Sequence, residues 1–163
     1  MKQLLIIWHS RTGTAEAMAQ AAFEGAGADE ACASRLLRAG EAGPEDLLTA
    51  DGYLFAAPEN LASLSGEMKE FFDRCYYPVL GRIEGRPYAL MIAAGSDGTG
   101  AARQAARIAT GWRLREVQPA RIVNMQAQTP EEILAPKTLP EADRAHCRDL
   151  GAAMAAGIGA GIW

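Results

Sequence analysis

Three continuously apolar runs constrain the fold of this chain more than any other feature. They are residues 4–8 (LLIIW), 52–57 (GYLFAA) and 88–94 (YALMIAA). An unbroken apolar run predicts a strand buried on both faces, whereas a strand with one face in water alternates apolar and polar residues. Segments of helical character follow each run, and strands that alternate with helices predict a parallel sheet covered on both faces.

The weaker segments complete this pattern. Residues 30–37 predict an edge strand and residues 121–123 predict the last strand, while Pro58 is expected to end the second apolar run. Helices are expected from residue 14 to about 25, from Pro44, and over 65–77, 101–109 and 140–156. We therefore predict an α/β fold: a three-layer, doubly wound, five-stranded parallel sheet in a single domain over residues 1–163.

Charge and cysteine usage exclude several classes of partner. The net charge of −4 and the lack of a basic run argue against a nucleic-acid partner, and no apolar run reaches membrane-spanning length. The three cysteines lack CxxC spacing, which argues against a disulfide framework and a zinc site. We expect reduced thiols in a cytoplasmic protein.

Polar loops follow the three strongest strands at residues 10–14, 58–64 and 95–99. In a doubly wound sheet these loops meet at the carboxyl edge, where ligands bind. The first, "SRTGT", puts three hydroxyls and a glycine before a predicted helix, whose free N–H groups favour a phosphate. Both GxxxxGK[ST] and GxGxxG are absent, so one terminal phosphate is favoured over a dinucleotide. The alternative is an ordinary Ser/Thr helix cap with an incidental glycine.

The other two loops are suited to a flat ligand. Residues 59–61 could meet a polar ring edge, and Gly95 and Gly98 permit close backbone approach. A polar turn followed by an ordinary helix is the alternative reading of the second loop.

A hydrolase reading of the third loop is weaker. Ala94-x-Ser96-x-Gly98 resembles a nucleophile elbow whose partners would be Asp143 and His146. Those two residues lie three apart on one predicted helix, and His9, at a strand end, is expected to be structural.

Taken together, the three loops resemble those of the flavodoxin-like FMN proteins, in particular the NAD(P)H-dependent FMN or quinone reductase branch. The resemblance rests on "SRTGT", "DGYLFAAPENLASLSGEMKEFFDR" and "AGSDGTGAARQ", in that order, within residues 4–123. It implies a strand order of 2-1-3-4-5 with FMN at the point where the order reverses. It also implies a set of FMN-binding residues: Ser10, Arg11, Thr12, Gly13 and Thr14 at the phosphate, Pro58, Glu59, Asn60 and Leu61 beside the isoalloxazine, and Gly95, Ser96, Asp97 and Gly98 at its pyrimidine end.

The resemblance implies a flavoprotein enzyme in which hydride passes from NADH or NADPH through FMN to a quinone, a flavin or a similar small-molecule acceptor. No catalytic acid or base is required, and a homodimer is one expectation, since relatives often dimerise. Two alternatives stay open: a flavodoxin-type electron carrier, and a binding or regulatory module on the same fold. This chain departs from relatives in having Leu61 in place of an aromatic residue and no glycine in residues 58–63.

Overall fold

The structure, a computed structural model, describes all residues from 1 to 163. The strands are β1 (Lys2–Trp8), β2 (Cys32–Arg38), β3 (Gly52–Asn60), β4 (Ser63–Leu64), β5 (Pro87–Ala94), β6 (Arg115–Glu116) and β7 (Arg121–Asn124). The helices are α1 (Thr14–Ala26), α2 (Pro44–Thr49), α3 (Gly66–Val79), α4 (Thr99–Gly111), α5 (Pro130–Leu134) and α6 (Glu141–Gly159). None of these helices is both long and apolar enough to cross a membrane.

The central sheet has the predicted order. β2 lies at one edge, followed by β1, β3 and β5, and the far edge of β5 pairs with β6 and then with β7. All of these pairings are parallel. When only the five positions of the parallel sheet are numbered, β5 is the fourth strand, and β6 and β7 together form the fifth. The order is then the predicted 2-1-3-4-5, and the predicted fold class is confirmed.

The apolar runs divide their side chains between two cores. Leu5, Ile7 and Phe55 face one core, which α2, α3 and α4 cover, while Leu4 and Ile6 face the other, beneath α1 and α6. Because β1, β3 and β5 have helices on both sides, their unbroken hydrophobicity matches burial on both faces.

Helices α1 and α6 pack unusually closely. A Cβ added to Gly151 would lie 2.7 Å from the Cα of Ala22, and one added to Gly25 would collide with the backbone of Arg148. Both contacts are closer than a Cβ tolerates, so a side chain at either position would push the two helix backbones apart. Gly25 was expected to end α1, but the helix continues past it to Ala26, and the residue serves packing.

Pro58 does not end the second apolar strand, which corrects the sequence expectation. β3 continues to Asn60, and Pro58 pairs in register with Ala93 of β5. The pairing of β1 with β3 stops at Ala56, so Pro58 lies beyond it and its missing N–H removes no bond from that ladder. The Pro58 carbonyl accepts a hydrogen bond from the N–H of Ser65, just after β4.

The three cysteines are free, and all three are buried. Burial raises the pKa of the Cys75 thiol to about 11, and it raises that of Cys147 to about 11 as well. Burial also raises the pKa of Cys32. All three therefore behave as small core side chains.

Candidate functional site

A cleft of about 720 Å³ opens at the carboxyl ends of β1, β3 and β5. The structure thus brings the three polar loops together where the topology places a ligand. The predicted residues that line the cleft are Ser10, Arg11, Thr12, Thr14, Pro58, Glu59, Asn60, Leu61, Gly95 and Ser96. Gly13, Asp97 and Gly98, also predicted, do not line it.

The first loop forms a cradle at the N-terminus of α1. Gly13 is the N-cap residue with φ of 111°, a left-handed conformation that suits glycine, and no side chain caps the helix. The Gly13 N–H donates to the hydroxyl of Ser10 at 3.1 Å, which fixes the turn. The first N–H groups of α1 have no carbonyl one turn earlier to accept them, so they remain available to an anion.

Thr14 provides the most specific signal in this cradle. The residue is only 4% exposed, lines the cleft, and its Oγ1 has no hydrogen-bond partner. A buried hydroxyl without a partner is uncommon in folded proteins and points to a missing ligand. A terminal phosphate fits this position, because its oxygens accept from both the hydroxyl and the helix N-terminus.

Arg11 stands at the rim of the cradle and is already paired. Its Nη2 donates to both carboxylate oxygens of Glu67, at 3.1 and 3.0 Å, in an exposed ion pair. Two residues earlier, His9 lies 2.7 Å through Nδ1 from the hydroxyl of buried Ser65. Burial is the largest influence on His9 and lowers its pKa, Glu67 opposes this, and Arg11 adds to it. His9 thus fastens the loop to the start of α3, in keeping with the expected structural role.

The second wall is a β-hairpin formed by β3 and β4. Asn60 pairs with Ser63, and the two residues between them, Leu61 and Ala62, have φ of 53° and 64°. Positive φ at both positions is the signature of a type I′ turn, in which Asn and Gly are usually preferred. The turn projects Leu61 fully into solvent at the edge of the cleft.

Glu59 joins the second loop to the third. Its Oε1 accepts from the N–H of Gly98 at 2.8 Å and its Oε2 accepts from the N–H of Ala101 at 3.0 Å. These N–H groups belong to the N-cap and first turn of α4, where a carboxylate is favourable. Glu59 lines the cleft as predicted, but its carboxylate oxygens already hold the wall in place.

Asp97 and Gly98 have structural roles in the third loop. Gly98 is the N-cap of α4 with φ of 95°, and a Cβ there would press on the side chain of Ile122. Asp97 is exposed and accepts hydrogen bonds from Thr99. The loop itself is held by Asn124, whose side-chain amide donates to the carbonyl of Ser96.

A further wall was missed from the sequence. It comes from the segment after β7 and includes Met125, Ala127, Ile133, Leu134 and Lys137. The signal that could have located its helix, α5, is "TPEE" at residues 129–132, a capping box with proline at the first helical position. Nothing in the pattern indicated that this short helix borders the cleft.

The hydrolase alternative finds no support in the geometry. Asp143 and His146 both pair with Arg121, whose Nη2 lies 2.8 Å from Asp143 Oδ1 and 2.8 Å from His146 Nδ1. Neither residue forms a hydrogen bond with Ser96, so the nucleophile, base and orienting acid of a triad are not assembled.

Comparison with known proteins decides the family. The family model described as NADPH-dependent FMN reductase matches residues 38–129, more than half of the chain. The chain belongs to the NADPH-dependent FMN reductase family. The matched region of this family member includes the second and third loops, while the phosphate cradle lies before it and Lys137 after it.

Curated relatives carry two different descriptions. The family member is 36% identical over 100 residues to a flavodoxin of Aquifex aeolicus, which covers 61% of this chain and 54% of that protein. It is 30% identical over 94 residues to an NAD(P)H dehydrogenase (quinone) of Acidithiobacillus ferrooxidans, which covers 45% of this chain and 47% of that protein. The chain therefore spans about half the length of the curated relatives it matches.

Solved structures show that the fold is flavodoxin-like. An archaeal flavodoxin superposes with a TM-score of 0.76 at 14% identity, covering 96% of this chain and 98% of the other. The two-electron reduced flavodoxin of Megasphaera elsdenii superposes with a TM-score of 0.71 at 20% identity, covering 94% and 98%. Identities this low establish the architecture, which agrees with the flavodoxin-like resemblance of the three loops.

Proposed function

We propose that this protein binds FMN in the cleft and is an NAD(P)H-dependent oxidoreductase that passes electrons to a quinone, a flavin or a similar small-molecule acceptor. The observation that carries the proposal is the unpartnered hydroxyl of Thr14 at the N-terminus of α1, in a residue that lines a cleft large enough for a flavin. Membership of the FMN reductase family and the flavodoxin-like fold support a flavoprotein that transfers electrons.

Each wall of the cleft would have a separate task. Ser10, Thr12 and Thr14, with the first N–H groups of α1, would hold the phosphate. The β3–β4 hairpin and the backbone at Gly95 and Ser96 would flank the ring. When bound, FMN supplies the hydride-accepting chemistry, so the chain needs no acid or base of its own. The protein's contribution is positioning, and the Glu59 bridge keeps two of the walls at a fixed separation.

The test begins with the visible spectrum of the purified protein, recorded again after FMN is added and the excess removed. A retained flavin spectrum establishes the cofactor. NADH or NADPH is then added under anaerobic conditions, and bleaching of the flavin band is the expected result. A protein that retains no FMN would overturn the proposal and favour a binding or regulatory module.

A flavodoxin-type electron carrier is the second candidate, favoured by the similarity to the Aquifex aeolicus flavodoxin. Such a carrier would retain FMN, and neither NADH nor NADPH would reduce it. It would also accumulate a one-electron reduced form during reductive titration. The net charge of −4 argues against it, because carriers that dock basic partners are often strongly acidic.

Replacing Thr14 by Val separates ligand binding from folding. The substitution preserves shape and removes a hydroxyl that has no partner in the protein itself, so the melting temperature should stay the same or rise. Loss of one hydrogen bond to a charged phosphate should weaken FMN binding by about 1.5–3 kcal/mol, or roughly 10- to 150-fold. Thr110→Val is the control. The Thr110 hydroxyl donates to the Ala106 carbonyl within α4 and does not line the cleft, so its removal should not change FMN affinity. Unchanged FMN affinity in Thr14→Val would exclude Thr14 from the site.

A further inference from the structure

The chain after α5 crosses the phosphate cradle. The Lys137 N–H donates to the carbonyl of Thr12 at 2.7 Å, which fastens this segment to the first loop. A Cβ added to Gly13 would lie 3.4 Å from the Lys137 carbonyl, so the two backbones are nearly in contact. Lys137 also lines the same cleft as Ser10, Thr12 and Thr14. Its backbone is therefore fixed beside the cradle.

The ammonium of Lys137 has no carboxylate within salt-bridge distance. It belongs to none of the nine ion pairs in the structure. Instead, Nζ donates to the carbonyls of Ile133 at 3.0 Å and Ala135 at 2.6 Å, at the carboxyl end of α5. Neutral carbonyls are weaker partners for an ammonium than a doubly charged phosphate is.

The other cation at the cradle is occupied. Arg11 is bound through both oxygens of the Glu67 carboxylate. Lys137 is consequently the cation at this end of the cleft that forms no salt bridge. The carboxyl on which its charge acts is that of exposed Glu132, whose pKa is lowered by the N–H groups of Gln128 and Thr129 and, to a smaller extent, by the charge of Lys137. A phosphate held only by hydroxyls and helix N–H groups would meet partial positive charges alone, and Lys137, whose backbone lies beside the cradle, could add a full one.

We propose that Lys137 is a phosphate-binding residue of the flavin site, and that it makes this protein select FMN over riboflavin, which has the same ring and ribityl chain without the phosphate. The inference rests on the proposed function, because it takes FMN to be the ligand. Binding requires that Nζ leave the α5 carbonyls, which solvent can then satisfy since Ala135 and its neighbours are exposed. Lys137 lies beyond residues 38–129, so the match to the family does not itself assign it a role.

The experiment compares two ligands on three variants of the full chain. The protein is freed of flavin, and FMN or riboflavin fluorescence is followed as protein is added. Lys137→Met should weaken FMN binding about 10- to 100-fold and leave riboflavin binding within about twofold. Lys137→Arg, which keeps the charge, should retain most of the FMN affinity. Lys2→Met, the charge-matched control at the opposite end of the strands, should change neither affinity, since Lys2 pairs with Asp51.

Each outcome has a distinct meaning. A loss confined to FMN in Lys137→Met, with recovery in Lys137→Arg, supports the inference. Unchanged FMN affinity, or an equal loss for both flavins, overturns it and leaves Lys137 as a helix cap for α5. Should Lys137→Met fold poorly, the ratio of FMN affinity to riboflavin affinity is compared between Lys137→Gln and Lys137→Arg. A lower ratio in Lys137→Gln supports the inference, and equal ratios overturn it. If the unsubstituted protein binds neither flavin, the proposed function fails, and this inference fails with it.

Discussion

Glu59→Gln should loosen the junction between two walls of the cleft. The carboxylate of Glu59 accepts one N–H from Gly98 and one from Ala101, at 2.8 and 3.0 Å. Glutamine keeps one acceptor oxygen but turns an NH₂ group towards the other N–H, so two donors face each other. One charge-assisted bond is lost, and the favourable charge at the N-terminus of α4 disappears.

The expected cost follows from these two contacts. A hydrogen bond to a charged group contributes about 1.5–3 kcal/mol, and a charge at a helix terminus about 0.3–1 kcal/mol. Because Glu59 is only partly buried, we take the lower part of this range, about 2 kcal/mol. For a chain of this length that corresponds to a melting temperature lower by about 4–8 °C.

Thermal unfolding followed by circular dichroism measures this effect directly. Glu67→Gln is the matched control, since it removes the same charge from an exposed pair with Arg11 and should cost at most about 1 kcal/mol. FMN affinity of Glu59→Gln should also fall, because the loop at residues 95–98 loses its anchor. A melting temperature within 1 °C or so of the unsubstituted protein would refute the assignment of the Glu59 bridge as a structural element.

Three further predictions concern packing, thiols and pH. Gly151→Ala should lower the free energy of unfolding, measured by chemical denaturation, by about 1–2 kcal/mol, because overpacking at the helix crossing outweighs the gain in helix propensity. In the control Gly111→Ala the added methyl group lies in open space, so the same measurement should show no change or a gain in stability. Because the pKa values of Cys75 and Cys147 lie at about 11, thiol reagents at pH 8 should leave the native protein unlabelled over minutes and label all three cysteines in urea; fast native labelling would contradict their burial. The pKa of His9 lies below its ordinary 6.5, so its contribution to stability is complete above that pH and is lost as the pH falls below it; unfolding at pH 7.5 and 5.5 should show this loss, and His9→Gln should reduce it.

The sheet and the cradle were predictable because their signals are local. An apolar run such as residues 88–94 has one stable environment, a doubly covered strand, and the order of such runs sets the topology. The Gly13 turn could be anticipated in the same way, since a helix N-terminus after a buried strand lies at the carboxyl edge. The expected ligand, FMN, came from the resemblance of the three loops, in their order, to those of flavodoxin-like proteins.

Other parts of the site depend on contacts between distant segments. The apolar run indicates that β1 ends at Trp8, but no pattern indicates the register that sets Trp8 opposite Ala56 and leaves Pro58 beyond the β1 ladder. The role of Glu59 depends on its approach to an N–H 42 residues later. Lys137 follows α5, which has only five residues, and so short a helix has no hydrophobic periodicity from which its packing against the cleft could be predicted. Tertiary geometry therefore decides which polar residues serve the ligand and which serve the walls.

Leu61 gives the protein a site at which ligand preference can change independently of the core. Its side chain projects from the hairpin tip without being packed against the fold, so a new side chain there alters what a bound molecule meets but displaces no core atom. The left-handed backbone is the one constraint, and it disfavours β-branched residues. Natural drift or a mutational library could therefore explore this position at nearly constant stability, and the rim of the cleft would diverge here between orthologues sooner than the fold itself.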